Sequence, residues 1–193
     1  MTPLSRADLL GLETYAVERD AFRARVLRHK RARRLQLDTS VALLFEDRLT
    51  VQYQIQEMLR IERIFEPDAI QGELDAYNPL IPGGCDLKAT MLIAYSDPGE
   101  RHAALARLGG IEHHVHAEVA GHGRAGTYAD EDLPRSDGAR TSAVHFLRFV
   151  FAPAQIAALR TGAALLFGID DPRRLRSVEA TGATREALLR DFD

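Results

Sequence analysis

The run Glu112-His113-His114-Val115-His116-Ala117-Glu118 holds three imidazoles and two carboxylates within seven positions. On a strand, side chains alternate, so Glu112, His114, His116 and Glu118 would share one face and His113, Val115 and Ala117 the other. A His-x-His pair then stands roughly 7 Å apart at Cα, within reach of a common ion. Imidazole nitrogen combined with carboxylate oxygen suits Zn²⁺ or Fe²⁺. His122, just beyond, is a further candidate ligand. A half-exposed sheet produces the same alternation with no ion at all, and His-x-His without a third placed partner is a weak motif.

A second set lies on Thr50–Arg60, T-V-Q-Y-Q-I-Q-E-M-L-R. Val51, Ile55, Met58 and Leu59 recur at i, i+4, i+7 and i+8, which makes one apolar helical face capped by Asp47. Gln52, Gln56 and Arg60 form a row at steps of four beside it. With Glu57, and Glu73 on the following helix, Gln56 and Arg60 make a candidate ligand-binding group for a small anion or polar molecule. The competing expectation is that Glu57, Arg60 and Glu73 satisfy one another at a helix junction, as buried polar groups usually do.

Other single residues carry less. His145, in the doubly apolar run Ala143–Phe151, reads as a hydrogen-bonded core histidine, and Arg148 as a partner for a carboxylate. Ser142 and His145 have no third member, so a nucleophilic triad has no support. Cys85 follows Gly83-Gly84, with nothing in the neighbouring sequence to lower its pKa.

The elements that must carry these groups come in two blocks. Helices are expected over Leu12 to about Arg34, then from Asp47 past Arg60, then from Pro67 to about Asn78. After Pro82-Gly-Gly-Cys the pattern turns to strands: Leu87–Ser96, Ile111–Val119, Ala143–Phe151, Ala164–Ile169 and Leu175–Ala180. A short buried strand is also expected at Val41–Phe45. Ala120–Ser142 reads as a long Gly/Asp/Arg-rich loop. The expectation is an α+β fold, helical over about 1–82 and packed on a mainly antiparallel sheet over about 83–193, forming a single domain 1–193.

Composition narrows the function classes. A hydrophobic share of 46% and a charged share of 27% are those of an ordinary globular chain. One cysteine among 193 residues excludes an internal disulfide framework or a Cys-built zinc site, and favours a reducing cytoplasm. No apolar stretch is long enough for a membrane span. The net charge of −3 hides an uneven distribution. Arg19–Arg34 holds eight Lys or Arg against one Asp, so it carries +7 and leaves −10 elsewhere. Such a helix can dock an acidic protein partner; with no nucleic-acid motif present, nucleic acid is disfavoured. Self-association into a homo-oligomer is compatible with the same composition.

Several segments carry a family resemblance. Leu44–Arg48, Gln54–Glu62 (Q-I-Q-E-M-L-R-I-E), Glu73–Pro82 (E-L-D-A-Y-N-P-L-I-P), Val144–Phe149 and Gly168–Pro172 (G-I-D-D-P) resemble the bacterial family known as domain of unknown function 3501. Where that family tends to read Asp-His-Pro after Gly-Ile, Asp171 stands here in place of the histidine. The resemblance implies a bacterial protein of no established activity, encoded beside rubrerythrin-like di-iron proteins and Fe–S oxidoreductases. The leading expectation is therefore a non-catalytic accessory or interaction protein of a redox system. The alternative is a metal-binding protein or metal-dependent enzyme using the Glu112, His114, His116 and Glu118 set.

Overall fold

The second and third helices start where the sequence supplies a start signal. In the computed structural model, which describes residues 1–136 and 140–192, α1 spans Leu12–Arg31, α2 Arg48–Ile61 and α3 Pro67–Tyr77. Asp47 caps α2: its carboxylate accepts the Thr50 amide at 2.9 Å, and the Thr50 hydroxyl accepts the Asp47 amide at 2.9 Å. Two of the orphan donors of the first turn are thereby satisfied. Pro67 opens α3 from its first turn, where its missing N–H costs nothing. No helix is long and apolar enough to cross a membrane.

The remaining chain builds two antiparallel sheets. The first has strand order β1 (Arg34–Gln36), β2 (Val41–Phe45), β3 (Asp86–Ile93), β7 (Val144–Val150), β6 (Gly126–Ala129). The second runs β5 (Gly123–Arg124), β4 (Val115–Val119), β8 (Leu165–Asp171), β9 (Arg174–Glu179). Three further helices, α4 (Pro98–Arg107), α5 (Pro153–Arg160) and α6 (Gly182–Leu189), follow β3, β7 and β9. Alternation sends Leu87, Ala89, Met91 and Ile93 of β3 into the core and leaves Lys88 and Thr90 on the outer face. Phe167 sits between the sheets, with its ring 4.9 Å from Phe45 and 5.3 Å from Phe149.

The α+β architecture expected from sequence is present, helices in the first part and antiparallel sheets in the rest. The helices have a second feature. They keep small apolar clusters of their own, one around Val51, Ile55, Leu59 and Leu74, another around Tyr15, Phe22 and Val26. Fully buried Arg33 joins the parts. It donates to the carbonyls of Phe45 (3.0 Å) and Glu46 (2.9 Å) and pairs with Asp191 near the C-terminus.

Two expected elements change shape. Ile111–Val119 is not one strand: Ile111–His114 forms a 3-10 turn and pairing begins only at Val115. The span expected as a loop, Ala120–Ser142, contributes β5 and β6.

Candidate functional site

The 3-10 turn rearranges the histidine-rich run. Glu112 swings into the interior, 2% exposed, while His114 stays at the surface. There His114 Nδ1 lies 3.2 Å from Asp170 and Nε2 3.7 Å from Asp171. His116 sits on β4 opposite Gly168 of β8. A Cβ on Gly168 would lie 2.7 Å from the His116 ring and 2.5 Å from the Arg176 carbonyl, so only glycine admits this contact. His116 Nδ1 is buried without a hydrogen-bond partner among the described residues, and burial followed by nearby Arg124 pulls its pKa down. Glu118 lies opposite Arg124 on β5 and Leu166 on β8. The four residues expected on one face therefore divide. Glu112 leaves the group, because period-two geometry fails across a turn.

Glu112 meets a different histidine. His145 of β7 is wholly buried, and its two ring nitrogens are both engaged. Nδ1 lies 2.6 Å from Asp130 Oδ2. Nε2 lies 2.7 Å from the Thr141 hydroxyl and 3.1 Å from the Ser142 carbonyl, with Glu112 Oε2 at 3.9 Å. The Asp130 carboxylate and the Ser142 carbonyl only accept, whereas the Thr141 hydroxyl can either donate to Nε2 or accept from it. Thr141 Oγ1 completes the network, donating to Glu112 at 3.2 Å and accepting from Ser136 at 2.9 Å.

Asp130 is placed there by backbone geometry that non-glycine residues rarely adopt, with φ of 49°. Its N–H reaches the Phe146 carbonyl at 2.8 Å, and its Oδ1 accepts the Phe146 amide at 2.9 Å, so the loop is sewn to β7 from both sides. Arg135 Nη1 lies 3.2 Å from Asp130 and holds Asp132 at 2.5 Å. Burial works against ionisation of Glu112, but a hydrogen bond from Ser136, a backbone amide, and then His145 and His113 outweigh it and hold its carboxyl below the ordinary value. One ligand-capable atom each from Glu112, Asp130 and His145 lies within 4.8 Å of the other two. Among the described residues, no other group of three His, Cys, Asp or Glu is arranged in this way. Sequence reasoning marked Glu112 and gave His145 a core role. It had no signal for Asp130 or Thr141, which approach only after the chain passes through β5 and β6.

The amide row on α2 is turned inward. Gln56, fully buried, accepts the Leu10 amide at 2.6 Å and donates to the Leu10 carbonyl at 3.2 Å. Gln52 donates to the Asp8 carbonyl at 2.6 Å. Glu57 is gripped by Arg19 through two 2.8 Å bonds and by the Tyr15 hydroxyl at 2.7 Å. Arg60 touches Glu57 only at 3.4 Å, and Glu73 makes none of these contacts. The expected group of Gln56, Glu57, Arg60 and Glu73 is thus not a common cavity lining.

On the basic helix, Arg19 and Arg33 are consumed internally, and Arg34 belongs to β1. Arg23, Arg25, Arg28 and Arg31 remain on the exposed face, near exposed Val17 and Leu27.

A family model described as protein of unknown function, DUF3501, matches residues 3–192. The chain belongs to that family. No curated protein matches the sequence. A crystal structure of a novel protein of unknown function from Burkholderia pseudomallei K96243 is similar at 46% identity, with 100% of both chains covered and a TM-score of 0.93. This DUF3501 chain thus shares its whole architecture with that protein.

Proposed function

We propose that this DUF3501 protein is a non-catalytic accessory protein that holds one divalent metal ion between Glu112, Asp130 and His145. The convergence of their ligand atoms within 4.8 Å is the observation that carries the reading. One imidazole and two carboxylates suit Zn²⁺, Fe²⁺ or Mn²⁺. The Thr141 hydroxyl adjoins the set, and Glu112, Thr141 and His145 are each no more than 2% exposed. Ligand atoms this deeply buried on Glu112 and His145 fit an ion that braces a loop better than one that meets a substrate. Metal competes with protons for imidazole and carboxylate ligands, so affinity should rise with pH. The cytoplasmic redox setting implied by the family resemblance is compatible with iron as the occupant.

Elemental analysis of protein purified without a histidine tag, before and after anaerobic loading with Fe²⁺, Mn²⁺ or Zn²⁺, tests this. The expected result is about one ion per chain, weakened by tenfold or more in Glu112→Gln and kept in the His114→Ala/His116→Ala double variant. No retained ion, or retention indifferent to Glu112→Gln, removes the reading.

A second reading concerns the partner. The exposed arginines of α1, interleaved with Val17 and Leu27, form a face for an acidic protein surface. Co-purification should weaken with salt and fail for Arg23→Glu/Arg28→Glu. A complex unchanged by both treatments rules this face out.

A further inference from the structure

A cavity of about 380 Å³ lies away from the metal cluster, between the end of α3 and the outer face of the first sheet. That is within the size range of small-ligand sites. Its helical wall is Ala76, Tyr77, Pro79 and Leu80; its floor includes Phe146, Lys88 and Arg148. Glu131 and Asp132 form the third side.

The charges around it separate into spent and unspent. Arg148 is locked to Glu131 through two bonds of 2.7 and 2.6 Å. Asp132 is locked to Arg135 through bonds of 2.5 and 2.7 Å. Two groups keep binding capacity. Glu46 accepts from the hydroxyls of Thr50 (2.7 Å) and Thr90 (3.0 Å), and no cation among the described residues forms an ion pair with it. Lys88 donates to the Pro79 carbonyl and forms a loose ion pair with Asp86 at 3.8 Å, beyond hydrogen-bond reach, so its ammonium keeps donor capacity. The two residues are backbone neighbours across β2 and β3, with the Glu46 amide 2.8 Å from the Lys88 carbonyl. Opposite charges at such a position would ordinarily pair. Here they are turned apart, each held by other groups, at the edge of an apolar cavity.

From this arrangement we infer that the cavity binds a free α-amino acid with an apolar side chain. The ammonium of the ligand meets the Glu46 carboxylate, its carboxylate meets Lys88, and its side chain lies against Tyr77, Leu80 and Phe146. A zwitterion gives Glu46 a cation and the spare donors of Lys88 an acceptor at once, which a simple acid or amine cannot do. The site is independent of the metal reading, because it shares no ligand atom with Glu112, Asp130 or His145.

Isothermal titration of the intact protein with L-leucine and L-phenylalanine, and with isocaproate and isoamylamine, tests the assignment. Isocaproate lacks the amine of leucine and isoamylamine its carboxylate. Both amino acids, or one of them, should bind at least about tenfold more tightly than either single-charge analogue. In Glu46→Gln the preference of leucine over isocaproate should vanish, and in Lys88→Met its preference over isoamylamine. Circular dichroism and thermal melting establish that both variants fold, and a charge-conserving Glu46→Asp variant covers the case in which Glu46→Gln does not. Equal binding of leucine and isocaproate overturns the inference. So does the absence of heat or thermal shift with any apolar amino acid up to about 10 mM.

Discussion

The seam between α1 and α2 and the cluster beneath residues 130–143 use the same residue types to opposite ends. In the seam, Glu57 faces a guanidinium and a phenol, and Gln56 faces one donor and one acceptor of Leu10. Each acceptor has its donor, and the groups are complete without help. In the cluster, the Asp130 and Glu112 carboxylates lie 2.6 and 3.9 Å from one imidazole, beside the Thr141 hydroxyl and the Ser142 carbonyl. The metal ion proposed above would take up that concentration of oxygen acceptors. Polar residues at a junction thus cement it when donors and acceptors balance, and create a binding demand when acceptors predominate.

The contrast can be broken most forcefully at Gln56. Gln56→Ala strands the Leu10 amide and carbonyl and opens a void, so unfolding stability should fall by about 3 kcal/mol in urea titration, with metal content unchanged. Tyr15→Phe removes one hydroxyl from Glu57 and should cost about 1 kcal/mol by the same measurement. Glu112→Gln should behave the other way: metal binding is lost, while the metal-free protein changes by less than about 1 kcal/mol, because a carboxylate leaves an acceptor-rich group. Arg60→Ala, touching Glu57 at 3.4 Å from an exposed position, should shift stability by under about 0.5 kcal/mol.

Acidity offers a separate handle. Arg19 holds the Glu57 carboxyl down at about 2, although burial acts against its charge. A lowered carboxyl contributes stability fully above its unfolded value of about 4.5 and loses it as pH falls towards 2. Glu57→Gln should flatten that part of the stability profile. Burial pushes Asp191 the other way, up to about 6, against the pull of Arg33. Its contribution is complete below about 4 and fades as pH rises through 6, so Asp191→Asn should flatten the profile between those values. A wild-type profile without either slope would contradict these assignments.

What the sequence disclosed follows from range. The helical face of Val51, Ile55 and Leu59 and the cap at Asp47 are local, and periodicity displays them. Gln56 meeting Leu10 spans 46 positions and has no periodic trace, so the amide row reads equally as cement or as a binding group. Glu112–His114 shows a different failure. Its alternation with His116 and Glu118 mimics a strand, but Gly110, with φ of 78°, caps the start of a 3-10 turn there. Pattern alone cannot distinguish the two, because both place polar residues at intervals of two or three. Asp130 and Thr141 were invisible for a further reason: neither type is distinctive in an Asp- and Thr-containing return segment. The pairing of β6 with β7 brings Asp130 to His145, whereas Thr141 stands four residues before it in the chain.

The left-handed backbone at Asp130 also has a mechanical consequence. Adjacent residues there point to opposite sides of one strip of chain: Asp130 inward to the imidazole, Glu131 and Asp132 outward to the rim of the amino-acid cavity. Both sides hang on the same two bonds between Asp130 and Phe146, so one short strip of backbone serves two faces of the sheet.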